Sequence, residues 1–206
     1  MIDPITLLTF VPAALALNLT PGSDMMFSLG QGLKSGSRAA VAASAGISTG
    51  GMVHVVLAGV GLGAVVSAVP WLFDAIRWIG VTYLFWLAWS ALRAGPQAPH
   101  GQPVTATRSF LGGLTVNLTN PKVILFVLAF IPQFVDPAAG PILPQFLIFG
   151  AVIAVGGFLV NAAVGVFAGR AGRHLVGNPR TRHALGWLSA GIFAALALRL
   201  AIMERT

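Results

Sequence analysis

Long apolar runs alternate with short polar stretches along the whole chain, and each run is long enough for a helix that crosses a bilayer. Such a helix needs about 20 mostly apolar residues. We place six runs, at about residues 5–33, 39–69, 70–92, 110–134, 145–169 and 184–203. The pattern predicts an all-α, polytopic membrane protein with six transmembrane helices and short loops.

The first run contains an interruption that is unusual at membrane depth. Asn18-Leu19-Thr20 is followed by Pro21-Gly22, and then by Ser23 and the carboxylate of Asp24. Proline and glycine beside an ionisable residue in an apolar run are typical of a site built from unwound backbone. We therefore predict that span one is broken or kinked at Pro21-Gly22.

The fourth run repeats this interruption with a base in place of the acid. Asn117-Leu118-Thr119 leads into Asn120-Pro121 and then Lys122. Proline removes a backbone donor and clashes with the preceding helical turn. The sequence therefore predicts a second break, at Asn120-Pro121 in span four.

The paired interruptions suggest an internal repeat. Gly50-Gly51 precedes His54 much as Gly156-Gly157 precedes Asn161. A proline-rich linker, residues 94–108, separates repeat one, about 1–93, from repeat two, about 109–206. Because three spans carry the chain to the other face, the halves would be inverted 3+3 repeats within a single transmembrane domain, residues 1–206. The alternative is chance similarity between glycine-rich apolar helices.

Composition supports the membrane assignment and narrows the partners. The 206 residues are 56% apolar and only 8% charged, whereas soluble domains carry roughly 25% charged residues. Mean hydropathy is +0.86. The formal charge of +7 comes mainly from short loops, so we expect membrane lipid, and no nucleic acid, as a partner. No basic segment precedes the first run, which we interpret as a retained span and not a signal peptide.

Basic residues concentrate in alternate loops and predict an orientation. The loops after spans one, three and five hold most of them, and the opposite side holds few. The positive-inside rule then places these loops in the cytoplasm and both termini outside. The basic loops contain Lys34, Arg38, Arg93, Arg108, Arg170, Arg173, Arg180 and Arg182, and the opposite side contains Arg77, Arg199 and Arg205.

Two charged residues inside the apolar runs are the strongest candidates for a binding site. An ionised side chain within a bilayer is costly unless it is paired or solvated. Asp24 would hold a substrate ammonium or carry a proton, or else cap a helix at the cytoplasmic interface. Lys122 lies deep in span four and would bind a substrate carboxylate, or form a structural ion pair with Asp24.

Polar and helix-breaking residues around the two charges complete the candidate binding set. Backbone groups freed at a break can contact ions or polar ligands. The side chains that would either bind ligand or satisfy the broken backbone are Asn18, Thr20, Asn117 and Asn120. The residues that free the backbone groups are Pro21, Gly22 and Pro121.

Three further polar residues lie away from the breaks. Asn161 in span five would either make an interhelical hydrogen bond or line the site. His54 in span two would be a packed polar contact or a proton relay, so it joins Asp24 as a candidate for proton coupling. Gln133, near the outer end of span four, would line a vestibule.

The sequence favours no enzymatic chemistry. The four histidines and five acids have no metal-ligand spacing, and the chain contains no cysteine for thiolate chemistry. No serine has the surroundings of a nucleophile elbow, and no glycine-rich phosphate loop is present. We therefore expect no enzyme activity, no metal and no cofactor, and transport that draws on a gradient or a partner.

At these residues the chain resembles the LysE/RhtB family, exporters of amino acids and related metabolites. The resembling segments are residues 18–24, 36–51, 110–113, 117–122 and 131–135. The resemblance implies efflux of an amino acid or similar zwitterion, in exchange for protons, from a bacterial cytoplasm across the inner membrane. It does not imply which substrate. The family usually has Pro-Gly-Pro before the acid, and Ser23 replaces the second proline here, which puts identical substrate geometry in doubt.

One hypothesis and two alternatives follow. The two halves would alternate access around a midplane site, where Asp24 meets an ammonium or a proton and Lys122 meets a carboxylate. The amides that would complete the polar lining are Asn18, Asn117 and Asn161. The alternatives are a passive channel for small solutes and a cation exporter, which the fixed positive charge of Lys122 disfavours. The glycine-rich helix faces would permit a homodimer.

Overall fold

The computed structural model describes residues 2–68 and 104–167 continuously, together with single helical positions between residues 75 and 93 and between residues 187 and 201. The continuous parts are helical and contain no strand. The α-helices are α1 (Pro4–Leu19), α2 (Ser23–Ser35), α3 (Ser37–Ala68), α4 (Ala106–Leu118), α5 (Pro121–Ala129) and α6 (Ile142–Phe167). Two 3₁₀ turns, Ile131–Phe134 and Pro137–Ala139, join α5 to α6.

Four of the predicted spans fall within the described residues. Residues Ser37–Gly61 of α3 and the whole of α6 are each long and apolar enough to cross a membrane unaided. Two bent pairs reach that length together: α1 with α2, bent by 54°, and α4 with residues Pro121–Phe134, bent by 55°. The all-helical membrane fold is thus confirmed. Predicted spans three and six are described only at single helical positions, and most of the linker and the loop at residues 170–183 lie outside the described residues. The count of six spans therefore stays a prediction.

Both predicted breaks occur at the predicted residues. Thr20, the last residue before Pro21, is extended (φ −68°, ψ 118°), as proline requires of the residue before it. Gly22 is extended too, and α2 restarts at Ser23. In the second half Asn120 is extended (φ −82°, ψ 105°) and Pro121 opens α5, a position where its missing N–H costs no helical bond.

The two halves pack crosswise, which means that the broken helices of each half lie against the long helix of the other half. The broken pair α1–α2 lies along α6, while α4 of the second break lies along α3, and α3 packs against α6. Small residues permit this close approach. A Cβ added at Gly32 would lie 1.8 Å from the carbonyl oxygen of Gly165, and one at Gly113 would lie 2.2 Å from that of Ala43.

These glycines serve contacts within the chain. Every glycine of α3 and α6 whose surroundings the structure describes has an internal neighbour within 4 Å of an added Cβ, except Gly61. The glycine-rich faces therefore have an intramolecular use, and they no longer support the predicted homodimer.

Two glycines of α3 test this packing. Gly46→Ala would bring a Cβ to 2.0 Å from the carbonyl oxygen of Phe110, whereas a Cβ added at Gly61 would have no described neighbour within 4 Å. We expect Gly46→Ala to destabilise the protein by about 1–3 kcal/mol or more, since the helices must separate. Gly61→Ala should be neutral or stabilising by up to about 1 kcal/mol, because alanine is the better helix former. Thermal unfolding of the two variants in detergent measures the difference, and equal melting temperatures would contradict the packing.

Different kinds of side chain pack on the two sides of the breaks. Toward the start of α1, a phenylalanine cluster has neighbouring ring centroids 4.7–6.0 Å apart. Its members are Phe10, Phe126, Phe130, Phe134 and Phe149. Toward the end of α2, the seam with α3 and α4 holds buried polar side chains: the Ser28 and Ser44 hydroxyls are 3.2 Å apart, and Ser109 donates to Gln31 Oε1 at 3.1 Å.

Candidate functional site

The two breaks border one cavity between α1–α2, α3, α4–α5 and α6. Its volume is about 430 Å³, counted with the space at its open mouth. Six of the side chains predicted from sequence line it: Asn18, Thr20, Asp24, Asn117, Lys122 and Asn161. The structure therefore brings together, from both halves, the residues that carry the predicted chemistry.

Asp24 is buried in the first turn of α2, with 8% of its surface exposed. Its Oδ2 accepts a hydrogen bond from Asn117 Nδ2 at 2.8 Å, and its Oδ1 accepts one from Asn120 Nδ2 at 2.9 Å. Gly22, and not Asp24, is the N-cap residue of α2. Asp24 therefore does not cap α2, and its carboxylate faces the second half of the chain.

Asn120 links the second break to this carboxylate. Its Oδ1 accepts from the backbone N–H of Lys122 at 3.0 Å, which caps α5. Its Nδ2 is then left to donate to Asp24. Because one amide side chain does both, the start of α5 is fixed relative to the start of α2, and Asn120 satisfies the backbone and holds the acid at once.

Lys122 makes the reciprocal contact from the second half to the first. Its ammonium Nζ donates to the carbonyl oxygens of Leu17, at 3.0 Å, and Thr20, at 3.1 Å. These carbonyls lie at the end of α1, where the break leaves them without helical partners. A Cβ added at Gly22 would lie 3.3 Å from this Nζ, so Gly22 leaves room for the ammonium beside the break.

Helix dipoles favour this placement of both charges. Asp24 lies at the start of α2 and beside the N-cap residue of α5, where partial positive charge stabilises an anion. A lysine in the first turn of α5 is unfavourable for that helix alone. The side chain instead reaches the carboxyl end of α1, where partial negative charge favours a cation. Each charge is thus stabilised by the broken backbone that the sequence predicts.

Asp24 and Lys122 do not form a structural ion pair with each other, which was the alternative to a binding role for Lys122. In the part of the chain that the structure describes, each is held by amide or carbonyl groups instead. Both retain bonding capacity, because an ammonium has three protons and a carboxylate has about four acceptor positions. The third Lys122 proton and the remaining Asp24 lone pairs can therefore serve a ligand in the cavity they line.

Each half contributes one asparagine that packs against a glycine on the long helix of the other half. Asn18 donates to the carbonyl oxygen of Ile153 at 3.2 Å, and a Cβ at Gly156 would lie 2.7 Å from Asn18 Nδ2. Asn117 lies against α3 in the same manner, since a Cβ at Gly50 would be 2.9 Å from its Oδ1. The sequence-similar segments are thus in similar contacts, each with the other half.

His54 lies behind the site. It is partly buried, its Nε2 lies 3.3 Å from the backbone oxygen of Asn117, and it is not among the residues that line the cavity. This agrees with a packed polar contact. A relay role stays a prediction.

Residues 15–204 match the family model described as LysE type translocator. The chain belongs to the LysE type translocator family. It is 36% identical over 188 residues, 90% of each chain, to a homoserine/homoserine lactone efflux protein of Salmonella typhimurium. It is 31% identical over 205 residues, 95% of each chain, to a leucine efflux protein of an Enterobacter species. An uncharacterized membrane protein of Vibrio cholerae is 32% identical over 203 residues, 94% of this chain and 95% of its own. No solved structure matches the chain.

The family assignment confirms the resemblance inferred from sequence and makes this chain a membrane translocator. The unusual residue of this LysE type translocator, Ser23, lies at the start of α2, where its hydroxyl is 3.5 Å from Asp24 Oδ1. That is at the limit of hydrogen-bond distance. The break and the bend form here without the second proline.

Four predicted site residues shape the breaks of the translocator but do not line the cavity: Pro21, Gly22, Asn120 and Pro121. Pro121 is exposed on the outside of its helix. Gln133 is also outside the cavity, and its Nε2 donates to the carbonyl oxygen of Ala129 at 2.8 Å. Its vestibule role stays a prediction. Among the described residues, no group of three or more histidine, cysteine or acidic side chains could hold a metal ion.

Sequence reasoning missed the contribution of α3 to the LysE type site. Ile47, Ser48 and Gly51 line the cavity from this helix, as does Met25 from α2. Ser48 donates to the carbonyl oxygen of Ala154 at 2.9 Å and so ties α3 to α6. A signal was present: Ser48 is three residues before Gly51, one helical turn along the face that carries the glycine pair.

Proposed function

We propose that this LysE type translocator exports a small zwitterion, an amino acid or a close derivative. The observation that carries the proposal is the pair of buried opposite charges, Asp24 and Lys122, that line one cavity from opposite halves. A zwitterion presents one ammonium and one carboxylate, so each of its charges finds an opposite partner. The relatives named as efflux proteins for homoserine and leucine support the same class of substrate.

The substrate ammonium would bind at the free lone pairs of Asp24. Its carboxylate would accept the third proton of Lys122, the one not donated to Leu17 and Thr20. Binding in this way adds to the existing contacts and breaks none of them. A simple cation would meet a fixed ammonium in the same cavity, which disfavours the alternative of a cation exporter.

Alternating access by inverted repeats is the mechanism that we infer. Supporting it are the two bends of 54° and 55°, the crosswise packing, and the two asparagine–glycine contacts. Transport would require two sets of contacts to separate in turn, each exposing the cavity to one side of the membrane. One set is the phenylalanine cluster, and the other is the buried polar contacts of Ser28 with Ser44 and of Gln31 with Ser109. The polar seam suits water exposure, since its buried hydroxyls and amides lose little when hydrated.

We further propose that export is driven by proton exchange, with Asp24 as the proton carrier and His54 as a candidate relay. A carboxylate that alternates between a proton and a substrate ammonium couples the two movements without any other charged group. The protein would lie in a bacterial inner membrane, with the three basic loops on the cytoplasmic side and both termini outside.

Purified protein in lipid vesicles tests the proposal. Vesicles loaded with labelled neutral, basic and acidic amino acids should release the neutral ones with saturating kinetics, and faster when a proton gradient is imposed in the exchange direction. Unlabelled substrate outside should accelerate release of label, since a carrier exchanges and a channel does not. Vesicles without protein set the background. Linear, unsaturable release of every solute would instead identify a passive channel.

A further inference from the structure

The amide of Asn161 stands out among the polar side chains of the cavity because it makes no hydrogen bond to any of the described residues. The side chain is 4% exposed and lines the cavity. Its Oδ1 is buried without a hydrogen bond, so the predicted interhelical hydrogen bond through this oxygen does not form among the described residues. Buried polar groups are almost always hydrogen-bonded, and an unsatisfied one in a native structure calls for an explanation.

The neighbours of α6 place Asn161 at the level of the first break. One turn before it, Gly157 packs against Asn18, the residue just ahead of the break. One turn after it, Gly165 packs against the backbone of Ser28, on the far side of the break. Because residues four apart share a helix face, Asn161 faces the segment between Asn18 and Ser28, which contains Asp24.

Each of the other side-chain amides and hydroxyls of the cavity makes at least one hydrogen bond within the protein, and of these groups Asn117 keeps one buried oxygen, Oδ1, without a partner. Asn18 donates to the carbonyl of Ile153, Ser48 to that of Ala154, and Asn117 to Asp24. Thr20 donates to the carbonyl of Ala16. Among the described residues, Asn161 is therefore the amide of this lining that makes no hydrogen bond, whereas Asn117 already donates to Asp24 and has only its oxygen left for a ligand. The lining also contains no charged side chain beyond Asp24 and Lys122.

We propose that Asn161 determines specificity, and that it selects neutral amino acids whose side chain carries a hydroxyl or carbonyl group. This inference rests on the proposed function, in which Asp24 and Lys122 hold the ammonium and the carboxylate. The substrate side chain then extends toward α6, where an amide offers one donor group and one acceptor. A hydroxyl pairs with it, an aliphatic chain leaves it unpaired, and a third charge finds no opposite partner.

Asn161→Leu tests the inference, because leucine has a similar branched shape and no amide. Export of homoserine and leucine is measured for wild type and variant in the same vesicles. We expect the ratio of homoserine to leucine export to fall by roughly ten- to a hundredfold. The variant should also unfold at a higher temperature, since an apolar side chain replaces an unpaired buried amide. A purely structural hydrogen-bonding role predicts the opposite shift.

Leu159→Ala is the matched control and should leave the ratio unchanged, because Leu159 lies on the same helix and is 60% exposed. Asn161→Ala serves as a second variant and should lower the ratio in the same direction. Wild-type export with an unchanged ratio in both Asn161 variants, or an equal loss for both substrates, overturns the role of Asn161 and leaves the exporter intact. Wild-type protein that exports neither amino acid overturns the proposed function and this inference together.

Discussion

Asp24→Asn is expected to reduce export by at least about a hundredfold, because the substrate ammonium loses its buried counter-charge and the loss of one partner of such a contact costs about 2–5 kcal/mol. The carboxylate now accepts from both Asn117 and Asn120. An asparagine at residue 24 has a single oxygen, so the NH₂ group of either Asn117 or Asn120 would face another NH₂ group instead of an acceptor. The substrate ammonium would also lose its counter-charge. Initial efflux rates from vesicles, normalised to the protein inserted, measure the effect.

The control is Asp136→Asn, the same substitution at an exposed carboxylate that caps a short 3₁₀ turn. It should retain wild-type export. Asp24→Asn protein should still insert and elute as a single species, because one hydrogen bond to residue 24 survives. Wild-type rates in folded Asp24→Asn protein would remove the acid from the mechanism.

Lys122→Met is expected to abolish export and also to lower stability, by about 2–6 kcal/mol. Methionine fills a similar volume but leaves the carbonyl oxygens of Leu17 and Thr20 without their donor, and each buried unsatisfied group costs about 1–3 kcal/mol. Binding loses the cation that meets the substrate carboxylate. Efflux and thermal unfolding are measured on the same preparation.

Lys34→Met provides the comparison, since Lys34 stands in the last turn of α2 and is not among the cavity-lining residues. It should change neither export nor the melting temperature appreciably. Should Lys122→Met lose stability yet keep its export rate, Lys122 would serve only to brace the first break, and the substrate carboxylate would need another partner.

The breaks could be predicted from sequence because their cause is local. Proline restricts the residue before it and cannot donate to the preceding turn, so Pro21 and Pro121 mark where α1 and α4 end whatever surrounds them. An acid or base inside an apolar run is equally visible, since its cost in lipid does not depend on the fold. Asp24 and Lys122 were found in this way.

The partners of these groups could not be predicted, because they depend on which helices meet. Nothing near Lys122 in sequence indicates that its ammonium binds the carbonyls of Leu17 and Thr20, and the sequence suggested an ion pair with Asp24 as readily. The free amide of Asn161 was equally hidden, since a buried asparagine usually finds an interhelical partner. For Ser48, the sequence indicates a helix face shared with Gly51 but not the partner, the carbonyl of Ala154.

The reciprocal bracing of the breaks has a consequence for how the molecule is assembled. Asp24 is held by Asn117 and Asn120, and the carbonyls of Leu17 and Thr20 are held by Lys122. Each half therefore supplies hydrogen-bond partners for the other. A half expressed alone would leave a charged side chain or unpaired backbone carbonyls exposed to hydrocarbon. The two fragments should be degraded when made singly and regain function when made together, as complementary pieces that mature as one unit.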